Sequence, residues 1–310
     1  MIHQNIWGHI MKKDYLAIDV GGTRLKVALI DRAGNIQERF SERTITTGLP
    51  EFLAQLQAIV ARYRDRIRGV AFSVPGKLEH PKDTIIGGGA LTFMDGVNLR
   101  DELKLDIPVA VENDGKAAAL AELWLGELHD VSNGMAVVLG TGVGGGLVLD
   151  GKLVYGTHYQ AGELSFIFND LNHGMTDTIG TSGSAVNMIK RIGTLLNLKE
   201  IDDGPKVFEH INAGDAAANA IFNVYVDEIV RLIQTIQAII DVQRIVIGGG
   251  ISAQPVVAER IRERYLQFFN NNEIVAGTLT PVEIVAGKFA NDANLYGAIY
   301  HLLMDMNEEV

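Results

Sequence analysis

A mixed α/β fold built from two related halves is predicted by three features of this 310-residue chain. Short apolar runs with strand character alternate with longer segments whose apolar residues recur at helical spacing. Several of the strands end in glycine-rich or acidic turns, where open α/β sheets place their sites. The order strand, Gly-Thr turn, strand, Asp-containing turn also occurs twice, about 120 residues apart, which reads as a weak internal repeat.

The composition bounds what the chain can be. With 47% hydrophobic and 21% charged residues, it has enough apolar side chains for a sizeable core. The formal net charge is -11, and Lys and Arg are scattered without forming tracts, so a nucleic-acid surface is not expected. The absence of cysteine rules out disulfides and thiolate zinc sites and fits a reducing compartment, the cytoplasm. Gly, Asp or Arg interrupts each apolar run before it reaches the length of a membrane span. Residues 1–10 lack the basic start and long apolar core of a secretion signal, and they are expected to be an extension ahead of a start at Met11-Lys12-Lys13.

Taken in order, Tyr15 to Val20 and Val27 to Ile30 read as buried strands joined through Gly21-Gly22-Thr23. Asp31 to Asn35 turns the chain into a third strand, Ile36 to Arg43. A helix from Pro50 to Tyr63 carries Phe52, Leu53, Leu56, Ile59, Val60 and Tyr63 on one face. Val70 to Val74 is a strand ending in Pro75-Gly76, and Val109 to Val111 is another ending in Glu112-Asn113-Asp114. The Ala-rich stretch from Gly115 to Trp124 is a strong helix former, with Asn113 or Asp114 as its N-cap. Met135 to Gly140 is a strand, followed by the run Gly140 to Gly146, a strand from Leu147 to Leu149 and a turn at Asp150-Gly151. Helices are expected over Ser184 to Leu196, Asp215 to Ile240, Pro255 to Asn270 and Asn294 to Met304, and strands over Arg244 to Ile247 and Val282 to Val285. The apolar side of the helix from Asp215 suits either core burial or a homodimer.

Three glycine loops follow strands, and two architectures compete for them. Gly140, Gly142 and Gly145 fit the G-x-G-x-x-G spacing of a dinucleotide fold, but that fingerprint opens a helix, whereas Leu147 onward continues as a strand. No G-x-x-x-x-G-K-[ST] is present, which excludes a P-loop. Two hairpin loops, one from each half, suit a phosphate chain held between two lobes. Gly21, Gly22 and Thr23 would contribute one side and the loop Gly140 to Gly145, with Gly140, Thr141 and Gly142 as its ligands, the other, through exposed amides and hydroxyls. Gly248, Gly249 and Gly250 would let adenine and its ribose approach the backbone. Asp19 ends its strand with a carboxylate aimed at the same space, as a Mg²⁺ accompanying a phosphate requires.

Five motifs, Asp19 to Lys26, Glu112-Asn113-Asp114, Gly140 to Gly146, Ala161-Gly162-Glu163 and Ile247 to Ile251, resemble in this order the motif set of the ROK family of bacterial sugar kinases and repressors. The resemblance spans nearly all of the chain after Met11. It implies a two-domain actin-like, ribonuclease H-like sugar-kinase fold with ATP and sugar in the cleft between lobes. The lobes would be 11–115 with 289–310, and 116–288, hinged near Gly115. It also implies ATP with Mg²⁺ held on the Asp19 side through water, and transfer of the γ-phosphoryl group to a sugar hydroxyl, the 6-position for a glucose-type sugar. Asp114 matches the family's catalytic base, and a helix start would favour its ionised form; as a plain reading it is an N-cap. Asn113 and Glu163 resemble the sugar-hydroxyl ligands, and Gly76 would let the sugar approach the backbone, where the plain readings are a solvated loop pair and a strand-ending turn. Lys26 reads as a solvated strand residue and is placed outside the site.

Two departures from the family pattern bear on the acceptor. The family commonly has a Glu-x-Gly-His segment, whereas Glu163 is followed by Leu164 and Ser165 and the histidine is missing, and the cysteines of the family's structural zinc loop are absent, so no zinc is expected. His173 reads as a surface residue. The small residues Gly87 to Ala90, with Asn98-Leu99-Arg100, Trp124-Leu125-Gly126 and the missing zinc loop, look closer to the β-glucoside kinase branch. A β-glucoside such as cellobiose is therefore the expected acceptor, with glucose or N-acetylmannosamine as alternatives. The family's other class, a sugar-sensing transcriptional regulator, carries an N-terminal helix-turn-helix, for which the ten residues before Met11 are too few.

Overall fold

The computed structural model describes residues 14–306, so the expectations for residues 1–10 and the start at Met11 lie outside the described residues. The chain opens with an antiparallel meander of β1 (Asp14–Val20), β2 (Arg24–Ile30) and β3 (Ile36–Arg43). β2 begins three residues before the expected Val27, because the turn closes tightly, with Gly21 N donating to Arg24 O at 3.1 Å. That early start sets Lys26 directly opposite Asp19 in the register. Helix α1 (Leu49–Tyr63) has Pro50 in its first turn and buries Phe52, Leu56, Ile59, Val60 and Tyr63 against the sheet, as its helical spacing predicts. β4 (Ile67–Val74) runs parallel to β1. A small hairpin of β5 (Lys77–Glu79) and β6 (Thr84–Ile86), then α2 (Leu99–Leu103) capped by Asn98, lead to β7 (Val109–Asn113), parallel to β4. The first sheet has the order β3-β2-β1-β4-β7.

Helix α3 (Asp114–Leu125) follows without a loop, and a second unit repeats the plan. Its strands are β8 (Gly134–Leu139), β9 (Val143–Leu149) and β10 (Lys152–Val154). Then come helices α4 (Ile179–Ser182), α5 (Ala185–Leu195), α6 (Gly204–Asn212) and α7 (Ala216–Ile240). β11 (Arg244–Gly248), α8 (Pro255–Asn270), α9 (Glu273–Thr278), β12 (Glu283–Ala286) and α10 (Ala293–Asp305) complete the described chain. The second sheet has the order β10-β9-β8-β11-β12, again three antiparallel strands followed by two parallel ones. The two sheets correspond strand for strand, so the Gly-Thr repeat in the sequence marks a duplicated topology. This is the actin-like, ribonuclease H-like architecture.

Two helices fill the space between the sheets. α3 is buried over most of its length beyond Asp114, with Ala117, Ala118, Ala119 and Ala121 at most 3% exposed, because small side chains let it lie close to both sheets. α10 packs on β1, β4 and β7 through Leu295, Ala298, Ile299, Leu302 and Leu303. It crosses α3 at Gly297, where a Cβ would sit 1.6 Å from Ala117 O, so only glycine fits. The same close packing accounts for part of the second glycine run. Gly144, Gly145 and Gly146 lie inside β9, which begins at Val143 and not at the expected Leu147. A Cβ on Gly146 would lie 2.4 Å from Ala119 Cβ. Gly146 therefore serves helix–sheet contact, Gly145 is crowded by Leu164 and Gly162 of the segment after β10, and the loop proper is Gly140-Thr141-Gly142. The apolar side of α7 is consumed by the core through Phe222, Tyr225, Val226, Ile229, Leu232, Ile233 and Ile236. Among the described residues no helix is long and apolar enough to cross a membrane.

Candidate active site

The carboxyl end of β7 and the start of α3 carry the central residues. Asn113 is the N-cap of α3, its Oδ1 accepting from Lys116 N at 3.1 Å, which leaves Asp114 as the first helical residue. The Asn113 amide also donates to Gly76 O at 2.8 Å and to Asp114 Oδ1 at 3.1 Å. Gly76 therefore meets Asn113 through its carbonyl, and its φ of +90° with a Cβ position 2.7 Å from Ile86 O makes glycine obligatory. Asp114 Oδ1 takes a second donor, Gly115 N at 2.7 Å, while Oδ2 has no partner among the described residues. The side chain keeps an open surface, yet it stands on the floor of a cleft walled by protein. That enclosure, reinforced by the Asp19 and Glu163 carboxylates, pushes its pKa up to about 6, against the lowering from Gly115 N and Lys116. The helix start was expected to favour the charged form; desolvation in the cleft outweighs it.

Asp19, at the end of β1, is 6% exposed, and each of its oxygens holds one donor. Oδ1 accepts from Asn294 Nδ2 at 2.9 Å and Oδ2 from Lys26 Nζ at 3.1 Å. Lys26 also donates to Asn291 O at 3.0 Å. Lys26, read from the sequence as a solvated strand residue, is thus partly exposed but paired with Asp19, because the pairing register sets the two residues opposite each other. Asn291 and Asn294 were missed; the only trace in the sequence is the polar cluster opening the last helix. Thr44 was missed as well: it braces the Gly21–Thr23 turn, its hydroxyl donating to Gly21 O at 2.6 Å and its amide to Thr23 O at 3.0 Å.

The second loop is held just as firmly. Gly140 O accepts from Ala185 N at 3.0 Å, so the start of α5 is tied to it. Ser165 Oγ accepts from Val143 N at 2.9 Å and donates to Val143 O at 3.1 Å, with a Cβ on Gly142 falling 2.7 Å from that hydroxyl. The Ser165 hydroxyl is therefore spent on the backbone of β9. In the third loop Gly249, at φ +89°, would place a Cβ 2.2 Å from Leu139 O, and Ser252 Oγ donates to Gly249 O at 2.8 Å. Gly250 lies beside Asn291, so the turn before α10 touches both this loop and the Asp19–Lys26 pair.

Glu163 enters from the segment after β10. Its Oε1 accepts from Lys116 Nζ at 3.2 Å, and its side chain is about one quarter exposed. Behind the motif, Glu112 is fully buried; it takes Tyr155 OH at 2.6 Å on Oε2 and Asn113 N at 2.8 Å on Oε1, and burial with that carboxylate pushes the Tyr155 phenol up. His301 Nδ1 lies 3.4 Å from Glu112 Oε2 without hydrogen-bond geometry.

The structure thus joins Asn113, Asp114, Gly76, Glu163 and Asp19 through direct contacts or mutual electrostatics. Among the described residues no group of three His, Cys, Asp or Glu side chains forms a metal cage. Each Asp19 oxygen, holding one donor, retains a further lone pair.

A model of the ROK family matches residues 15–304. A β-glucoside kinase of Listeria innocua is 30% identical over 298 residues, covering 94% of this chain and 98% of that protein. An N-acetylmannosamine kinase of Yersinia pestis is 30% identical over 260 residues, covering 79% and 86%. Among solved structures, the Lmo2764 protein from Listeria monocytogenes superposes with a TM-score of 0.82 at 28% identity, covering 95% of this chain and 100% of that one.

Proposed function

The chain belongs to the ROK family, and from that premise we propose that it is an ATP-dependent sugar kinase whose acceptor is a β-glucoside such as cellobiose. The observation that carries the reading is the free Oδ2 of Asp114, held on the cleft floor with a pKa of about 6. The Gly21–Thr23 and Gly140–Gly142 loops take the phosphate chain between the two lobes, 11–115 with 289–310 on one side and 116–288 on the other. Gly248 to Gly250 receive the adenosine. Asn113, Glu163 and the Gly76 backbone orient the sugar so that its 6-hydroxyl faces Asp114 Oδ2.

Phosphoryl transfer depends mainly on alignment and charge stabilisation, so the base acts late. The hydroxyl oxygen bonds to the γ-phosphorus as the bond to the β–γ bridging oxygen breaks; ADP leaves, and the hydroxyl proton passes to Asp114. Mg²⁺, when bound with the nucleotide, supplies positive charge to the β- and γ-phosphates, and Asp19 is the side chain that would hold it through water. The β-glucoside assignment is supported by the Listeria relative and by the segment Gly87 to Ala90. Gly87, Gly88 and Gly89 have φ of +90°, +43° and +56°, and a Cβ on Gly22 would meet Ala90 at 2.7 Å. A stretch without bulky side chains therefore adjoins the first phosphate loop, and beside Gly87 nothing lies within 4 Å of where a Cβ would be, which is where an aglycone or second sugar would enter.

A coupled assay of sugar-dependent ADP release over glucose, N-acetylmannosamine and cellobiose tests this. Turnover of cellobiose at least comparable to the monosaccharides is expected. Far better turnover of glucose or N-acetylmannosamine rejects the β-glucoside acceptor. Sugar binding without ADP release rejects the kinase in favour of a sensor.

A further inference from the structure

The third residue of α3, Lys116, has no role in the reading above, yet its environment is unusual. The side chain is only 3% exposed, and one salt bridge, to Glu163 Oε1 at 3.2 Å, is the contact its ammonium makes among the described residues. An ammonium has three donors and is costly to bury, so a nearly buried lysine with a single partner is not retained by packing alone. Its backbone is fixed independently: Lys116 N caps the helix on Asn113 Oδ1 at 3.1 Å, and a Cβ on Gly146 would lie 3.4 Å from its Cα. The side chain therefore starts from a rigid point in α3 and reaches the segment that carries Glu163.

Charge balance in the cleft explains why such a residue is needed. Asp19, Asp114 and Glu163 place three carboxylates where a polyphosphate must also bind, and Asp19 and Glu163 both act electrostatically on Asp114. Lys26 pairs with Asp19 at 3.1 Å and Lys116 with Glu163 at 3.2 Å, so each flanking carboxylate has its own cation while Asp114 has none. Building on the kinase reading, we propose that Lys116 is a positioning residue for the sugar. It anchors Oε1 of Glu163 so that Oε2 alone faces the acceptor hydroxyls, and it offsets the charge beside the base. Lys26 performs the matching task on the nucleotide side.

The experiment uses the full chain with cellobiose and with glucose as acceptors, measuring KM for sugar and for ATP separately in Lys116→Met, Lys116→Gln, Glu163→Gln and the Lys116→Met/Glu163→Gln pair. Lys116→Met is expected to raise the sugar KM about tenfold, with the ATP KM within twofold, the size of one lost charge-assisted contact. In the Glu163→Gln background the same substitution is expected to add less than twofold. The acidic limb of the kcat/KM profile should also move to higher pH in Lys116→Met, because Lys116 lowers the Asp114 pKa while Asp19 and Glu163 raise it. Equal changes in both KM values, or full additivity in the double variant, overturn the proposal, as does loss of folding in both the Met and Gln variants. If Glu163→Gln leaves the sugar KM unchanged, Glu163 is not a ligand and the proposal falls with it. If no variant or wild-type chain releases ADP with sugar, the kinase reading itself has failed, a result distinct from the others.

Discussion

Replacing Asp114 by Asn should cut turnover by orders of magnitude and at the same time make the protein more stable. The wild-type carboxyl titrates at about 6, so it is roughly 90% ionised at pH 7 and 10% at pH 5, and kcat/KM should fall about tenfold between them. Removing the base should lower kcat by about 10²–10⁴ and remove that limb from the profile. For stability the sign is opposite. A carboxyl whose folded pKa is raised above its ordinary 3.8 resists ionisation in the folded state. The penalty is absent below about pH 4, grows between about 4 and 6, and is fully present above. A shift of about two units corresponds to at most ~3 kcal/mol; because the carboxylate is open to cleft water, screening reduces this to about 1 kcal/mol. Asp114→Asn keeps an oxygen for Gly115 N and loses the charge, so it should gain about 1 kcal/mol in urea unfolding at pH 7.5 and almost nothing at pH 4. Turnover within a few-fold of wild type in a folded Asp114→Asn protein would refute the assignment of the base. A stability loss at pH 7.5 would refute the electrostatic account of the cleft.

Two further substitutions separate the loops from the core. Ser165→Ala removes a hydroxyl that both donates to and accepts from Val143, so the ATP KM should rise several-fold with the sugar KM within twofold, and stability should drop by about 1–2 kcal/mol; an unchanged ATP KM in steady-state kinetics would count against Ser165 as the pin of the second loop. Tyr155→Phe strips a hydrogen bond from the fully buried Glu112 and should lower unfolding free energy by about 1–3 kcal/mol at pH 7, read by urea titration.

What the sequence could disclose followed from how local each feature is. The Gly21–Thr23 turn, the β7–α3 junction and the alternation of strands and helices rest on neighbours within a few residues, and propensity with periodicity is enough to place them. β5, β6, α2, α4, α6 and α9 are too short for periodicity to announce them. The pairing of Lys26 with Asp19 was not legible because it depends on cross-strand register: β2 starting at Arg24 sets the two opposite each other, and a turn longer by one residue would send Lys26 to the other face. The run Gly140 to Gly146 looked like one phosphate loop, yet the demand for glycine has two sources. Gly142 must clear Ser165 Oγ, a loop contact, whereas Gly146 must clear Ala119 of α3, a helix–sheet contact. Lys116 was invisible for a related reason. A lysine in an Ala-rich helix reads as a solvated position, and only the packing of α3 between two sheets turns it into a buried cation. The catalytic electrostatics therefore depend on the same feature that makes the core. Because α3 must be small-sided to fit between β7 and β9, Lys116 on it is enclosed, while Asp114 at its start faces the cleft. Asp114 acquires a raised pKa and Lys116 an obligatory partner from one and the same arrangement of backbone.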